Sequence, residues 1–382
     1  MAQKEKGDVY MDWMEEALEK CLNKIERNIT EIGEYFPQVA YEGRYNQEDK
    51  TFWTAGFWPG LLWLLYRESG NTAARDLAVK LEEDLDEILD GFVHLHHDVG
   101  FMWLPSAVMD YRLTGSEQAR IRGLKAASHL AGRFNQAGRF IRAWTDEVNP
   151  HSKGWALIDC MMNLPLLFWA SRETDDPRFY HIACAHTDTV LNHFIREDFT
   201  VPHIVSFDPY TGKKIGVISG QAMNEDSAWS RGQAWAIYGL AVAYRETGKK
   251  ECLDAAKNMA NYFLSHLPSD QVPYWDFRSK PELQWVKDSS AAACTASGLM
   301  ELSSVLEDET EKKILSGPGQ GDFKGVIRSL LGHIRTQSGN APGRDCELPE
   351  KKAYQCADYL WRFLLHGRSA ESKREERYFL IQ

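Results

Sequence analysis

The chain has 382 residues, of which 43% are hydrophobic and 26% are charged, as in an ordinary globular protein. Its formal net charge of −11 argues against nucleic acid or an anionic membrane as a partner. The seven cysteines are scattered without a CxxC pair, so they indicate neither a zinc site nor a disulfide framework.

The first residues are polar, and no apolar run is long enough to cross a bilayer. We therefore expect no secretory signal and no membrane span, and we predict a cytoplasmic protein that is a monomer or a weak homo-oligomer. The chain also has 13 Trp, more than a core needs. Such a surplus is typical of a cleft that stacks on flat ligand faces, and sugars are the usual ligands of this kind.

The predicted helices begin with residues 11–34, where Trp13, Leu18, Leu22, Ile25 and Ile29 share one helical face. Residues 35–52 are polar and predict a loop. From there a theme repeats. An apolar helix ends in an Arg that is soon followed by Gly or Asp, and a charged amphipathic helix comes next. The Gly is expected to cap the first helix, and the Arg to bond its last carbonyls. The four clear copies have this residue at Arg67, Arg112, Arg172 and Arg245, and their amphipathic helices are predicted at 73–89, 119–134, 177–194 and 252–267.

A weaker fifth copy spans 297–307 and 323–334, and a sixth, at 357–365, would pair with the N-terminal helix and close a ring. Strand signal is confined to 201–207 and 215–218, which a turn joins. Six helix pairs without a parallel sheet predict an all-α fold, an (α/α)6 barrel with a short β excursion near 201–218. An open helical solenoid is the alternative, but its repeats would be more regular in length. We expect one catalytic domain over 1–382, with a frayed, charged tail at 367–382.

Two carboxylates stand out in the segments between the predicted helices. Asp159 interrupts the apolar stretch 155–169, and Asp98 lies in an aromatic setting at 94–103. A buried Asp is costly unless it is hydrogen-bonded, paired or neutral. A lone Asp of this kind is more often a satisfied structural group, but a pair favours chemistry. An Asp in an apolar wall is expected to have a raised pKa and to donate a proton near neutral pH.

Other motifs narrow the kind of site. His94, His96 and His97 beside Asp98 could suggest a metal cluster, but adjacent His side chains are expected to diverge and no usual ligand spacing is present, so we predict no metal. No glycine-rich phosphate loop and no serine nucleophile motif occur. Arg231 stands between two Trp, an arrangement that suits a carboxylate in a partly dry pocket. The combination is typical of an enzyme that acts on carbohydrate.

At these motifs the sequence resembles the unsaturated glucuronyl hydrolases of glycoside hydrolase family 88. The resemblance rests on His97-Asp98-Val-Gly-Phe, on the run from Ile158-Asp159 to Trp169, and on Trp229-Ser-Arg231-Gly-Gln233-Ala-Trp235. Trp53-Thr-Ala-Gly-Phe-Trp58, Tyr274-Trp275-Asp276-Phe277 and Asp288-Ser-Ser-Ala match as well, so the likeness runs from about residue 53 to 302.

The resemblance implies an (α/α)6 barrel that removes a terminal 4,5-unsaturated glucuronic acid, left by a polysaccharide lyase, by hydrating its vinyl ether double bond. It implies that Asp159 is the general acid and base and that Asp98 is a supporting carboxylate. No metal and no organic cofactor are implied. The substrate-binding residues implied are Trp53, His97, Trp144, His203, Gln221, Trp229, Arg231 and Trp235.

The C-terminal part departs from the family pattern. Residues 344–355 do not resemble the family's polar loop, and 357–361 match its aromatic helix only in part. Closure of the sixth pair and any subsite for sulfated sugars therefore stay open. Two other functions also stay open, namely an unsaturated galacturonyl (rhamnogalacturonyl) hydrolase acting on pectin fragments and an inactive barrel that binds oligosaccharide through its Trp residues.

Overall fold

The structure, a computed structural model, describes residues 2–41, 44–284 and 286–306. Its first helix, α1 (Ala2–Glu31), begins earlier than the predicted 11–34 and ends a little before it. Leu18 and Ile25 are buried on its inner face, as the periodicity predicts. The prediction that Trp13 lies on the same face concerns a side chain that the structure does not describe.

Helix pairs follow as predicted, each with an apolar first member and an amphipathic second member. The long first members bury most of their residues, whereas the second members bury one face only. The first pair is α2 (Phe57–Ser69) and α3 (Thr72–Gly91). In the second, α4 (Val99–Trp103) and α5 (Met109–Thr114), joined by the π-helical turn Leu104–Val108, precede α6 (Glu117–Gly132). The third is α7 (Leu164–Thr174) and α8 (Pro177–His193), and the fourth α9 (Ser230–Thr247) and α10 (Lys250–Ser265). Helix α11 (Ser289–Val305) begins the fifth.

The second half of the predicted fifth pair (323–334), the predicted helix at 357–365 and the tail at 367–382 lie outside the described residues. The single-domain prediction for 1–382 includes them and stays a prediction. In the described part of the chain, no helix is both long and apolar enough to cross a membrane.

The turn inside each pair contains the repeated Arg and the Gly or Asp that follows it in the sequence. Gly70 has φ 71°, and its N–H donates to the Tyr66 carbonyl at 2.7 Å, so the predicted glycine cap is confirmed. The prediction that the arginines bond the last carbonyls of their own helices is wrong for Arg67, which donates to Glu68, and for Arg245, which donates to Glu301. Arg172 donates to Glu246, so Arg172 and Arg245 both join neighbouring helix pairs. For Arg112 and Arg172 the carbonyl bonds stay a prediction.

The strands are short and lie in the connections between helix pairs. Two hairpins are formed by β1 (Ala40–Tyr41) with β2 (Arg44–Tyr45) and by β3 (Phe134–Asn135) with β4 (Phe140–Ile141). A three-stranded antiparallel sheet has the order β5-β6-β7, made of β5 (Trp155–Leu157), β6 (Ile204–Phe207) and β7 (Lys214–Ile218). The predicted excursion is confirmed in β6 and β7. Strand β5 was not predicted, because it lies inside an apolar run that continues into a helix.

The connections from the second helix of one pair to the first helix of the next all start at the same end of the helix bundle. They carry the polar and aromatic residues that the sequence singles out, whereas the short capped turns lie at the other end. The core between the helices is apolar and continuous. The fold therefore gathers the candidate site at one end of the bundle.

Candidate active site

Asp98 directly precedes α4 and is 8% exposed. His96 Nδ1 lies 3.3 Å from its Oδ2, and His97 Nε2 lies 3.4 Å from its Oδ1. The Asn163 side chain donates to the same Oδ1 at 3.2 Å. Burial by itself raises the pKa of Asp98, but the two imidazoles and the amide overcome it and hold that pKa at about 2. Asp98 is therefore a carboxylate at neutral pH.

His97 is fully buried, and burial lowers its pKa to about 4, so the ring is neutral at neutral pH. The expectation that His96 and His97 diverge is wrong, because both rings approach Asp98. Their ligand atoms and an Asp98 oxygen lie within 4.8 Å of one another, so these three residues are the described group that could hold a metal ion. The predicted absence of a metal stays a prediction.

Asp159 lies in the 3-10 turn Ile158–Met162, between β5 and α7. The register of β5 on β6 sets Leu157 opposite Ile204, and the Ile158 N–H then donates to the His203 carbonyl at 3.0 Å. This pairing places Asp159 Oδ2 3.2 Å from His203 Nε2. Asp159 is 9% exposed, and its Oδ2 has no well-aligned hydrogen bond within the described residues. That oxygen is itself buried against His203, and the Asp159 side chain as a whole is 13% exposed.

The orientation of the His203 ring follows from the backbone behind it. Its Nδ1 accepts a hydrogen bond from the Gln221 backbone N–H at 2.9 Å, so in the neutral ring Nε2 carries the proton and faces Asp159. Gly220 makes this approach possible. It has φ +57°, and a Cβ on it would lie 2.0 Å from His203 Nδ1.

Arg231, in the first turn of α9, is 2% exposed. Its guanidinium donates to Gln221 Oε1 at 2.9 Å and to Ser290 Oγ at 3.1 Å. The same group lies 5.0 Å from the Trp229 ring and 5.3 Å from the Trp275 ring. Arg231 is thus a cation held between two indole faces. The sequence predicts that Trp229 flanks this arginine, and the structure places Trp229 there.

Three residues that support this cation were not among the predicted site residues. They are Trp275, Ser290 and Asp288, whose Oδ2 lies 3.7 Å from Arg231. All three belong to motifs that stand out in the sequence. Their relation to Arg231 depends on how α11 packs on α9, which the local pattern does not contain.

The predicted Trp residues occupy two kinds of position. Trp229 and Trp235 are buried, with Trp229 edge-on to His203 at 4.7 Å and Trp235 5.0 Å from Phe101. Trp53 and Trp144 are only partly buried. Trp53 lies 5.2 Å from Phe101, and Trp144 follows Ala143, whose carbonyl accepts from the His97 N–H. The structure thus brings all the predicted site residues into one connected region, in which two Trp are partly exposed and two are buried.

An ionised carboxylate, a second carboxylate beside a histidine and a cation held between aromatic faces suit an anionic sugar. Together with the helical barrel they define a carbohydrate-active hydrolase.

The chain belongs to Glycosyl Hydrolase Family 88, whose model matches residues 24–299. It is 38% identical over 301 residues to the unsaturated glucuronyl hydrolase of Bacillus sp. (strain GL1), covering 78% of this chain and 80% of that protein. It is 36% identical over 321 residues to an unsaturated chondroitin disaccharide hydrolase of Streptococcus pneumoniae, covering 83% and 80%.

The structure is similar to the crystal structure of an unsaturated glucuronyl hydrolase, responsible for the degradation of glycosaminoglycan, from Bacillus sp. GL1. The TM-score is 0.77 at 36% identity, and the match covers 83% of this chain and 84% of that one. The predicted family and the predicted (α/α)6 barrel are confirmed.

Proposed function

We propose that this protein removes a terminal 4,5-unsaturated glucuronic acid from lyase-generated oligosaccharides by hydrating the double bond. The observation that carries the proposal is the contrast between its two buried carboxylates. Asp98 is held as an anion by His96, His97 and Asn163, so it is unsuited to give a proton. Within the described residues, Asp159 Oδ2 has the His203 ring beside it but no well-aligned hydrogen bond, so Asp159 takes the role of general acid and base.

The reaction moves one proton in and one proton out through Asp159. Its carboxyl proton goes to C4 of the sugar, and the electrons of the C4=C5 bond form the new C–H bond. The ring oxygen stabilises the cation left at C5, and the negative charge of Asp98 favours it as well. Water then bonds to C5 and returns a proton to Asp159. The hemiketal so formed opens to a ketone at C5, and the hemiacetal left at C1 releases the shortened sugar.

The substrate's carboxylate is assigned to the cation of Arg231, with Gln221 and His203 as neighbouring hydrogen-bond donors. A guanidinium that indole rings shield from water interacts more strongly with an anion than an exposed one does. The partly exposed rings of Trp53 and Trp144 are assigned to the faces of the sugar, whereas Trp229, Trp235 and His97 form the wall behind them. The names of the two relatives support a glucuronyl substrate over a galacturonyl one.

The test is the loss of the ultraviolet absorbance of the conjugated double bond. We expect Asp159→Asn to lower kcat by about 10³-fold, the scale of a lost general acid, while circular dichroism shows an intact fold. Asp90→Asn is the matched control, because Asp90 lies on α3 and pairs with Lys125 on the surface. In D₂O the product should contain deuterium at C4. Release of a sugar that keeps its double bond would instead indicate attack at the anomeric carbon.

A panel of lyase-generated disaccharides separates the remaining alternatives. Turnover of chondroitin or hyaluronan products supports the proposal, whereas a preference for pectin products would favour a galacturonyl hydrolase. Binding by calorimetry without turnover would indicate an inactive oligosaccharide-binding barrel. Light scattering of the full chain tests the expected monomer or weak homo-oligomer. The cytoplasmic location also stays a prediction.

A further inference from the structure

We infer that Asn163 is a positioning residue for this reaction, because its one side chain holds Asp98 and the turn that carries Asp159 in a single arrangement. The inference rests on the proposed function for its kinetic readout. Asn163 is fully buried between the 3-10 turn and α7. It lies beside both carboxylates, and the mechanism so far uses it only as a hydrogen-bond partner of Asp98.

The Asn163 amide makes three contacts that join two separate segments of the chain. Its Nδ2 donates to Asp98 Oδ1 at 3.2 Å and lies 3.4 Å from the backbone carbonyl oxygen of Asp159. Its Oδ1 accepts from the Phe101 N–H, in the first turns of α4, at 2.8 Å. One planar group therefore connects the start of α4 with the turn that precedes α7.

The hydrogen-bond partners allow only one orientation of this amide. The Phe101 N–H can only donate, so it must face the amide oxygen. The Asp98 carboxylate and the Asp159 carbonyl can only accept, so they must face the amide nitrogen. A flipped amide would lose every one of these bonds and leave buried donors and acceptors unpaired, which is unfavourable.

The backbone packing prevents the two segments joined by Asn163 from shifting independently. A Cβ on Gly100 would lie 2.4 Å from Asn163 Oδ1 and 2.5 Å from its Cα, so the turn after Asp98 rests directly on residue 163. A shift of α4 against α7 must therefore move Asp98 relative to Asp159. Because the reacting atoms need near-contact geometry, even a displacement of about 1 Å can cost about 10²-fold in rate.

The decisive test replaces the amide by a carboxyl of the same shape. In Asn163→Asp, the new oxygen would face Asp98 Oδ1 and the Asp159 carbonyl with no donor among them. When protonated, the substituted group still donates to Asp98. When ionised, it repels Asp98 and weakens the contacts that join Asp98 to the turn carrying Asp159. The ratio of variant to wild-type kcat should therefore fall by about 10²-fold with rising pH, whereas KM should change by less than about threefold.

Asn135→Asp is the matched control. Asn135 also accepts from a backbone N–H through Oδ1, that of Gly138 at 2.8 Å, and donates through Nδ2, to the Pro209 carbonyl at 2.8 Å. It therefore undergoes the same chemical change with the same bonding pattern, but its Nδ2 partner is a carbonyl and not a carboxylate. The ratio of its kcat to that of the wild type should stay constant over the same pH range.

A second variant, Asn163→Ala, removes all three contacts, and kcat should fall about 10- to 100-fold at every pH. If it does not fold, Asn163→Asp decides. A pH-independent kcat ratio for Asn163→Asp, or a loss confined to KM, would overturn the inference. Failure of the proposed function is distinguishable, since the wild type and Asn135→Asp would then turn over no disaccharide. In that case the contact between Asn163 and Asp98 is tested only through the free energy of unfolding. The free energy of unfolding of Asn163→Asp must then fall relative to that of the wild type as pH rises. If the two free energies change with pH in the same way, the inference is overturned.

Discussion

His203 Nε2 lies 3.2 Å from Asp159 Oδ2, with the Gly220–Gln221 backbone closed against the other side of the imidazole. The backbone N–H of Gln221 donates to His203 Nδ1, so in the neutral ring the proton is on Nε2, which faces the Asp159 carboxylate. The environment of the proposed proton donor thus depends on Gly220, which packs against the far side of the His203 ring.

Gly220→Ala is expected to lower kcat/KM by about 10- to 100-fold, because the methyl group would displace the His203 ring and misplace Asp159. The added Cβ would meet His203 Nδ1 at 2.0 Å, and the residue has φ +57°. The control is Gly216→Ala in β7, where nothing lies within 4 Å of an added Cβ. Steady-state kinetics on the preferred disaccharide measure both. A wild-type rate in Gly220→Ala would show that the His203 position is not needed.

Arg231→Lys keeps the charge but loses the planar fork that bonds Gln221 and Ser290 and stacks between Trp229 and Trp275. We expect KM to rise by about tenfold or more, equivalent to about 1.4 kcal/mol of binding. Arg172→Lys, at the other end of the bundle, serves as the control. The defect should shrink when the substrate's carboxylate is methyl-esterified. An undiminished defect on the ester would place the carboxylate elsewhere.

Removal of metal ions is expected to leave activity unchanged. Asp98 already has His96, His97 and the Asn163 amide as partners, so its oxygens are satisfied by groups of the protein. The measurement is the rate before and after treatment with a chelator and dialysis, together with the metal content of the protein. A loss of activity that one divalent cation restores would identify His96, His97 and Asp98 as a metal site.

Glu82→Gln is expected to stabilise the protein in a pH-dependent way. Glu82 is 1% exposed on α3 and accepts from Trp63 Nε1 at 2.6 Å. Burial, together with the nearby Asp110, raises its pKa to about 8. The folded state therefore keeps a proton that the unfolded chain loses above the ordinary glutamate pKa of 4.5, so stability falls as pH rises between these values.

The gain from Glu82→Gln should be smallest near pH 4.5 and grow by at most about 1.4 kcal/mol per pH unit up to about pH 8. Denaturant titrations at several pH values measure it. Glu87→Gln is the control on the same helix, because Glu87 is exposed and pairs with Lys50 at the surface. A gain that does not change with pH would mean that Glu82 is ionised in the folded protein.

Much of the candidate site could be read from residue type and local setting. Asp98, Asp159 and Arg231 stand out because charged groups are rare in apolar or aromatic surroundings. The arrangement of the two His at Asp98 was predicted wrongly, because alternation of neighbouring side chains holds in a regular element and not in the turn that leads into α4. The role of Asn163 had no local signal, since an Asn before a helix is an ordinary residue in sequence.

The sequence by itself determined the helix pairs, their capped turns and the end of the bundle at which the long connections gather. Helical periodicity and glycine caps act over a few residues, so they can be read locally. Only the tertiary structure decided how Asp98 meets Asp159 and how Asp159 meets His203. Those relations depend on the pairing of β5 with β6 and on the Asn163 contact, both of which join residues far apart in the chain. Their partners are chosen by packing of the whole barrel, which no local pattern encodes.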